Sequence, residues 1–396
     1  MSFINVKEKA VREPLFQIVK RDKDAIKLWK AILIRALAIF GAFIFISILA
    51  WMIIKIDPFT FIGKMLDGVF GFSTSSNRRI WITVRNLAIL LCFAVALAPA
   101  FKMKFWNIGA EGQVLMGGLA CAACMYYLGG ILPDALVWII MSVAGILMGI
   151  IWAVIPAIFK AIWNTNETLF TLLMNYVAIQ LVKFFTDIWV KDGSGTLTTR
   201  HLHNVKLPEI GNAYLLPVIV VAVLTALMFV YLKYSKHGYE LSVVGESEDT
   251  AKYIGVNVKK VIIRTMALSG AVCGIAGILL VGAINGTVNT STAGGQGFTG
   301  IIVAWLGKFN PIYMVLTAFL LIFLNRGTVA LNLTNNAFAE IITGIVIFIV
   351  LGCEFFIGYK IKIHKKNKRE NKTENDFIPD KSDRSATETT EKEVTE

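Results

Sequence analysis

Residues 102–130 read KMKFWNIGAEGQVLMGGLACAACMYYLGG, and Glu111 stands at the head of an apolar, small-residue run long enough to be a membrane helix. An ionisable side chain at the bilayer centre costs about 2.5–3.5 kcal/mol on insertion scales, so this carboxylate must face protein, a water-filled cavity or the interface. The run is one of a series. Apolar stretches at 31–56, 82–101, 107–128, 135–159, 168–190, 213–232, 262–284, 297–306, 310–325 and 338–358 are mostly long enough to cross about 30 Å of hydrocarbon as helices.

Composition agrees. Of 396 residues, 56% are hydrophobic and only 17% charged, more apolar surface than a soluble core of this length requires. The sequence predicts an all-α, polytopic membrane protein of about ten transmembrane helices. It divides into a basic N-terminus at 1–28, a membrane domain at 29–359 with a cytoplasmic loop at 235–262, and a polar tail at 360–396 that should be disordered.

A net charge of +12 would suit nucleic acid, but the basic residues gather beside the apolar runs rather than on a soluble module. Lys20, Arg21, Lys23, Lys27 and Lys30 precede the first run, and Lys360, Lys362, Lys365, Lys366, Lys368 and Arg369 follow the last. By the positive-inside rule both termini are cytoplasmic, and an even number of spans agrees with that. Arg78 and Arg79 fall on the outer side and run against the rule. A long charged segment precedes the first run, so that run is expected to remain as an anchor rather than serve as a cleaved signal.

Metal and redox chemistry find little support. Cys121 and Cys124 form a CxxC inside an apolar run with no second pair nearby, so packing is the expected role. His201 and His203 alternate as they would on one face of a strand, yet no acidic or Cys partner stands at ligand spacing, and a solvated loop is expected. Paired intramembrane carboxylates that would run acid–base chemistry are lacking, which argues against a membrane enzyme.

The function-bearing stretches are elsewhere. GAEGQVLMGG opens one helix and GGQGFTGI another, each a Gly/Gln break before an apolar run. Their five-helix offset would make the two halves an inverted repeat, an arrangement that places a substrate path between repeats. GKFNP, with Gly307 and Pro311, interrupts 297–326 and makes it either two short spans or a re-entrant hairpin. The loop SKHGYELSVVGESEDTAKYIGVNVKK offers a short helix over 247–255. Ser247 caps it, Glu248 and Asp249 sit in its first turn, Gly255 closes it, and Thr250, Ala251 and Ile254 share one side. A helix of that length needs a partner surface.

HGYELSVVGESEDTAKYIGVNV resembles the coupling-helix segment of bacterial ABC importer permeases, with Ser242 where that family usually has Arg. NIGAEGQVLMGG, NETLFTLLMNYVA and GQGFTGIIVAWLGKFNP are similar to three further motifs of the nucleoside and simple-sugar branch of the ribose and branched-chain amino acid permease family. The resemblance runs from about residue 80 to about 358. It implies the permease subunit of an ATP-driven importer in the bacterial cell membrane, with nucleosides preferred and a simple sugar such as ribose as the alternative. It also implies three partners: an ABC ATPase, a second permease chain that is a paralogue or another copy of this one, and an extracytoplasmic solute-binding lipoprotein.

The chain has no GxxxxGK[ST] phosphate loop, so ATP and Mg belong to the partner ATPase and no cofactor is expected here. On this reading Asn107, Glu111, Gln113 and Asn175 are substrate-path candidates at or near a helix break, which they either brace or line for the substrate, and Gly245, Thr250, Ala251, Tyr253, Ile254 and Gly255 contact the ATPase. Trp106, Tyr126, Tyr127, Tyr176 and Trp305 are aromatic groups able to stack on a base. A secondary transporter or channel fits the helix count and charge pattern equally well, and ATP dependence separates it from an importer.

Overall fold

The computed structural model describes residues 16–20, 28–72, 76–190, 194–331 and 336–363. The chain divides into two units, Gly41–Phe348 and a smaller one made of Met1–Phe40 and Ile349–Glu396. In the smaller unit the strand β1 (Phe16–Lys20) pairs antiparallel with β2 (Tyr359–Ile363), Phe16 opposite Ile363 and Lys20 opposite Tyr359. The all-α expectation thus misses one short ribbon, and the expected tail opens with a strand. The remainder of that tail, 364–396, lies outside the described residues, as do 1–15 and 21–27.

The helices are α1 (Leu28–Ile54), α2 (Pro58–Phe70), α3 (Ser76–Lys102), α4 (Ala110–Leu128), α5 (Asp134–Trp163), α6 (Glu167–Trp189), α7 (Leu215–Tyr234), α8 (Lys236–Glu246), α9 (Glu248–Tyr253), α10 (Val258–Ile278), α11 (Gln296–Leu306), α12 (Pro311–Ala330) and α13 (Asn336–Gly358). Each of the apolar runs read from the sequence is helical. Among the described residues, seven helices are long and apolar enough to cross a membrane. They belong to α1, α3, α5, α6, α7, α10 with the π-helical extension Leu279–Asn285, and α12. The shorter α11, about 16 Å long, is joined to α12 as a helical hairpin through Gly307–Asn310, and Thr317 of α12 donates to the Val303 carbonyl at 3.2 Å.

Small residues decide which helices are central. In a bilayer, helices associate by close packing rather than by escape from water, so Gly and Ala mark the contacts. Two small-xxx-small pairs, Gly145/Gly149 on α5 and Gly270/Gly274 on α10, meet backbone to backbone. A Cβ on Gly149 would lie 2.8 Å from the Gly274 Cα, and one on Gly117 of α4 would also lie 2.8 Å from it. The three helices therefore form one seam that has no room for a methyl group.

Two helices were not foreseen. α2 is amphipathic, with Phe61, Met65, Gly68 and Val69 buried at helical spacing and Asp57 capping its start. It explains Arg79, whose guanidinium bridges Asp67 at 2.6 Å and so ties α2 to α3. α8 occupies sequence read as loop, and Ser235 caps it by accepting from the Gly238 N–H at 2.9 Å. The histidine pair does not lie on a strand: 199–204 is a turn, His201 bonds Thr198 through Nδ1 at 2.9 Å, and His203 packs on Gly129 and Gly130.

Candidate functional site

α3 ends at Lys102, and the chain leaves the helix through Lys104–Gly109 before α4 starts at Ala110. Backbone freed by such a break must be satisfied locally, because hydrocarbon offers no partners. α6 does this with two side chains. Thr171 Oγ1 accepts from the Ile108 N–H at 3.1 Å, while Asn175 donates through Nδ2 to the Ile108 carbonyl at 2.9 Å and accepts through Oδ1 from the Gly112 N–H at 2.8 Å. Asn107 folds back to accept from the Gly109 N–H at 3.0 Å and from Gln113 Nε2 at 3.2 Å, and its amide nitrogen reaches Ser269 Oγ of α10 at 3.3 Å.

Glu111 closes the arrangement. Its Oε1 accepts from the Gly295 N–H at 2.7 Å and its Oε2 from the Gly297 N–H at 2.8 Å, so the carboxylate of α4's first turn caps α11. The negative group sits at the positive end of a helix dipole and satisfies two N–H groups that α11 cannot bond internally. Gly295 precedes the helix at φ 72°, and at Gly297 a Cβ would lie 2.7 Å from Glu111 Oε2. The two glycine-rich openings read from the sequence thus touch each other.

All four path candidates, Asn107, Glu111, Gln113 and Asn175, are buried, with Glu111 the most accessible at 8%. Their polar atoms are spent on the backbone of the break, on α11 and on one another. Outward-facing groups flank the break instead. Tyr176 is 61% exposed on α6 next to Asn175, in line with the exposed Gln180 and Lys183. On the other side, Phe298 and Trp305 are exposed on α11, and Trp305 packs on Trp106 of the break with ring centroids 5.3 Å apart. Tyr126 and Tyr127 are committed elsewhere, stacking on Trp189 and accepting its indole N–H at 2.9 Å.

The second group of candidates lies beyond the end of α7. α9 is capped as expected, Ser247 Oγ accepting from the Thr250 N–H at 3.2 Å, and Gly255 follows at φ 83°. The expected common side is corrected: Ala251 is fully buried, whereas Thr250, Ile254 and Gly255 are exposed and Tyr253 is 92% exposed. Ala251 sits on the bundle side because a six-residue helix needs one anchor. Gly245 is buried in α8 against the Lys102 carbonyl. Lys104 donates to the Glu246 carbonyl at 3.4 Å. A cleft of about 190 Å³ opens here among Lys104, Lys160, Glu167, Gly245, Ser247 and Glu248.

Sequence reading missed several contributors. Thr171 and Ser269 look like ordinary helix residues until the break is placed against them. Asn166 caps α6 at the Leu169 N–H, and Glu167 pairs with Lys160 at 2.9 Å. Ser242, in place of the expected Arg, bonds its own helix at the Gly238 carbonyl. The charge contact of this element is made by Glu240 of α8 and Arg264 of α10 at 2.8 Å, with His237 3.6 Å away. The hydrogen bond from Arg264 holds the Glu240 carboxyl below the usual carboxylate range.

Residues 80–351 match the family described as branched-chain amino acid transport system / permease component. Similar proteins include the glucose ABC transporter permease protein TsgB13 of Haloferax volcanii, 27% identical over 79% of this chain and 86% of its own. The guanosine ABC transporter permease protein NupP of Bacillus subtilis is 29% identical over 68% of this chain and 79% of its own. The nucleoside ABC transporter permease protein NupB of Lactococcus lactis is 25% identical over 75% of this chain and 84% of its own. With its helical membrane architecture and braced helix break, the chain belongs to the branched-chain amino acid transport system / permease component family, as a multi-pass permease and not a catalytic subunit.

Proposed function

We propose that this ABC transporter permease imports nucleosides into a bacterial cell, driven by a separate ATPase that carries ATP and Mg. The observation behind the nucleoside reading is the aromatic and polar surface flanking the break: Tyr176 and Gln180 on one side, Trp106, Phe298 and Trp305 on the other. Aromatic faces stack on a base, and an amide bonds its edge or a ribose hydroxyl. Asn107, Glu111, Gln113 and Asn175 act on the path from behind, by holding the break in shape. A guanosine and a nucleoside permease among the similar proteins agree with this. The glucose permease, which covers more of the chain than either, supports a simple sugar as the second reading.

The remaining parts follow from the importer reading. The exposed surface of α9, with Thr250, Tyr253, Ile254 and Gly255, contacts the ATPase on the cytoplasmic side, while Ala251 and Gly245 seat that surface on the bundle. Both termini are cytoplasmic. A second permease, a paralogue of this chain, completes the pore, and an extracytoplasmic solute-binding lipoprotein delivers the solute.

The test is uptake in proteoliposomes carrying this chain with these partners. Radiolabelled nucleoside should accumulate only when ATP reaches the α9 side, and collapse of proton and sodium gradients should have little effect. Gradient-driven accumulation by this chain alone would make it a secondary transporter. ATP-dependent uptake of a sugar with no nucleoside uptake would keep the mechanism and overturn the substrate.

A further inference from the structure

α8 is wedged among three helix ends. Gly238 lies against the Tyr231 and Leu232 carbonyls at the end of α7, and Gly245 against the Lys102 carbonyl and the Met103 Cα at the end of α3. Lys104, just past α3, also donates to the Glu246 carbonyl at 3.4 Å, and the third contact joins two charged side chains, Glu240 Oε2 to Arg264 Nη2 of α10 at 2.8 Å. Both side chains are largely screened from solvent, at 17% and 28% exposure, and the Arg264 Nε is buried without another hydrogen bond.

α10 leads onward to the break. Ser269, about 7.5 Å along the helix from Arg264, accepts from Asn107, and Gly270 and Gly274 lock the same helix into the seam with α5. An α-helix held by its own ladder moves over that distance as a rigid piece, so displacement at Arg264 reaches Asn107 undiminished.

We propose that the Glu240–Arg264 pair is the positioning link through which α8 and α9 drive α10, and with it the helix break at Asn107, during transport. α9 supplies the exposed docking surface, but it is six residues long and has no side-chain bond into the bundle among its described contacts. α8 carries the load, and the ion pair converts its motion into a motion of α10. The two glycine contacts limit how closely α8 approaches α3 and α7, and the Lys104 bond to the Glu246 carbonyl is long, at 3.4 Å, and exposed. A charge-assisted hydrogen bond resists separation as well, so the link works in both strokes of a cycle.

This inference rests on the importer reading, and the assay separates the two. Wild-type chain in proteoliposomes with its ATPase, second permease and binding protein is scored for nucleoside taken up per ATP hydrolysed. No ATP-dependent uptake by wild type would sink the importer reading itself. Given wild-type uptake, Glu240→Ala and Arg264→Gln should each lower uptake per ATP about tenfold, the factor for losing a hydrogen bond between charged groups. ATP hydrolysis and ATPase co-purification should be retained. The charge swap Glu240→Arg with Arg264→Glu should recover uptake per ATP to within about threefold of wild type.

Unchanged uptake per ATP in both single variants would overturn the link, and so would a folded swap variant as uncoupled as the single ones. Glu240→Asp guards against loss of folding, since it keeps the charge and shortens the reach by one methylene. Partial uncoupling at normal membrane abundance supports a positional role, and full coupling overturns it.

Discussion

Replacing Glu111 by Ala tests whether the carboxylate is a brace. The variant strips two N–H groups of their acceptors, and the two differ in what happens next. Gly297 is buried, so its N–H bears the full penalty of an unmade hydrogen bond, about 1–3 kcal/mol. Gly295 is exposed and regains water, which reduces its share. Loss of the charge at the start of α11 adds about 0.3–2 kcal/mol. The sum, roughly 1.5–5 kcal/mol, is a large part of the about 5–15 kcal/mol that folded domains have in hand.

Glu111→Ala should therefore cut the amount of monodisperse protein recovered from membranes several-fold, measured by fluorescence-detected size exclusion. Competition among nucleosides for the remaining uptake should keep its ranking. Glu111→Gln should also fail, because its NH₂ group would be turned toward one of the two N–H donors. Gly297→Ala should fail for the reciprocal reason, its Cβ falling 2.7 Å from Glu111 Oε2. Normal recovery of Glu111→Ala together with a reordered ranking would refute the bracing argument and make Glu111 a direct substrate contact.

Gly274→Leu should abolish folded recovery, since overpacking costs about 1–3 kcal/mol even where neighbours can shift and here they are backbone; Gly41→Leu, with nothing within 4 Å, should be tolerated. On α9, Tyr253→Ala with Ile254→Asp should weaken ATPase co-purification while leaving recovery intact, whereas Ala251→Glu should lower recovery itself, because Ala251 has no exposure. Equal behaviour of the two α9 variants would contradict the division of that helix into docking and anchoring sides. Arg264 depresses the Glu240 pKa, so the pair's stabilisation is complete above about pH 4.3, the unfolded carboxylate value, and is lost as pH falls through the lower folded value. The melting-temperature gap between wild type and Glu240→Gln should narrow as pH falls below about 4.3.

What the sequence revealed, and what it hid, follows from the range of the physics involved. Long apolar runs report spans directly, because the bilayer imposes length and composition one helix at a time. α2 escaped because its thirteen residues carry Lys64 and Asp67, and its stability comes from burying Met65 and Gly68 against α12, a contact with no local signature. α8 escaped for a similar reason, its glycines reading as loop residues when they serve close packing. The site was half legible. NIGAEGQ marked the break, and Glu111 was read correctly as out of place in lipid, but its acceptor role depends on Gly295 and Gly297, 184 and 186 residues away. Burial of Asn107, Gln113 and Asn175 was equally non-local, since a polar residue in a span looks the same whether it lines water or braces backbone.

The braces also constrain how the bundle moves. Asn175 ties α6 to α4 at Gly112, Glu111 ties α4 to α11 at Gly297, and Asn107 ties the break to α10, through hydrogen bonds between buried groups. Opening any one of them exposes a buried polar group, whereas moving the four helices together exposes none. Transport should then proceed with α4, α6, α10 and α11 as a single body, and the change in access should come from its movement against the proposed second permease chain. Hydrogen exchange read by mass spectrometry checks this in the assembled transporter. The Gly112 and Gly297 amides should be equally protected in the nucleotide-free and ATP-bound states, while the exposed faces of α6 and α11 change. Loss of protection at Gly297 in one state alone would show that the Glu111 cap opens during the cycle, and that α11 moves independently of α4.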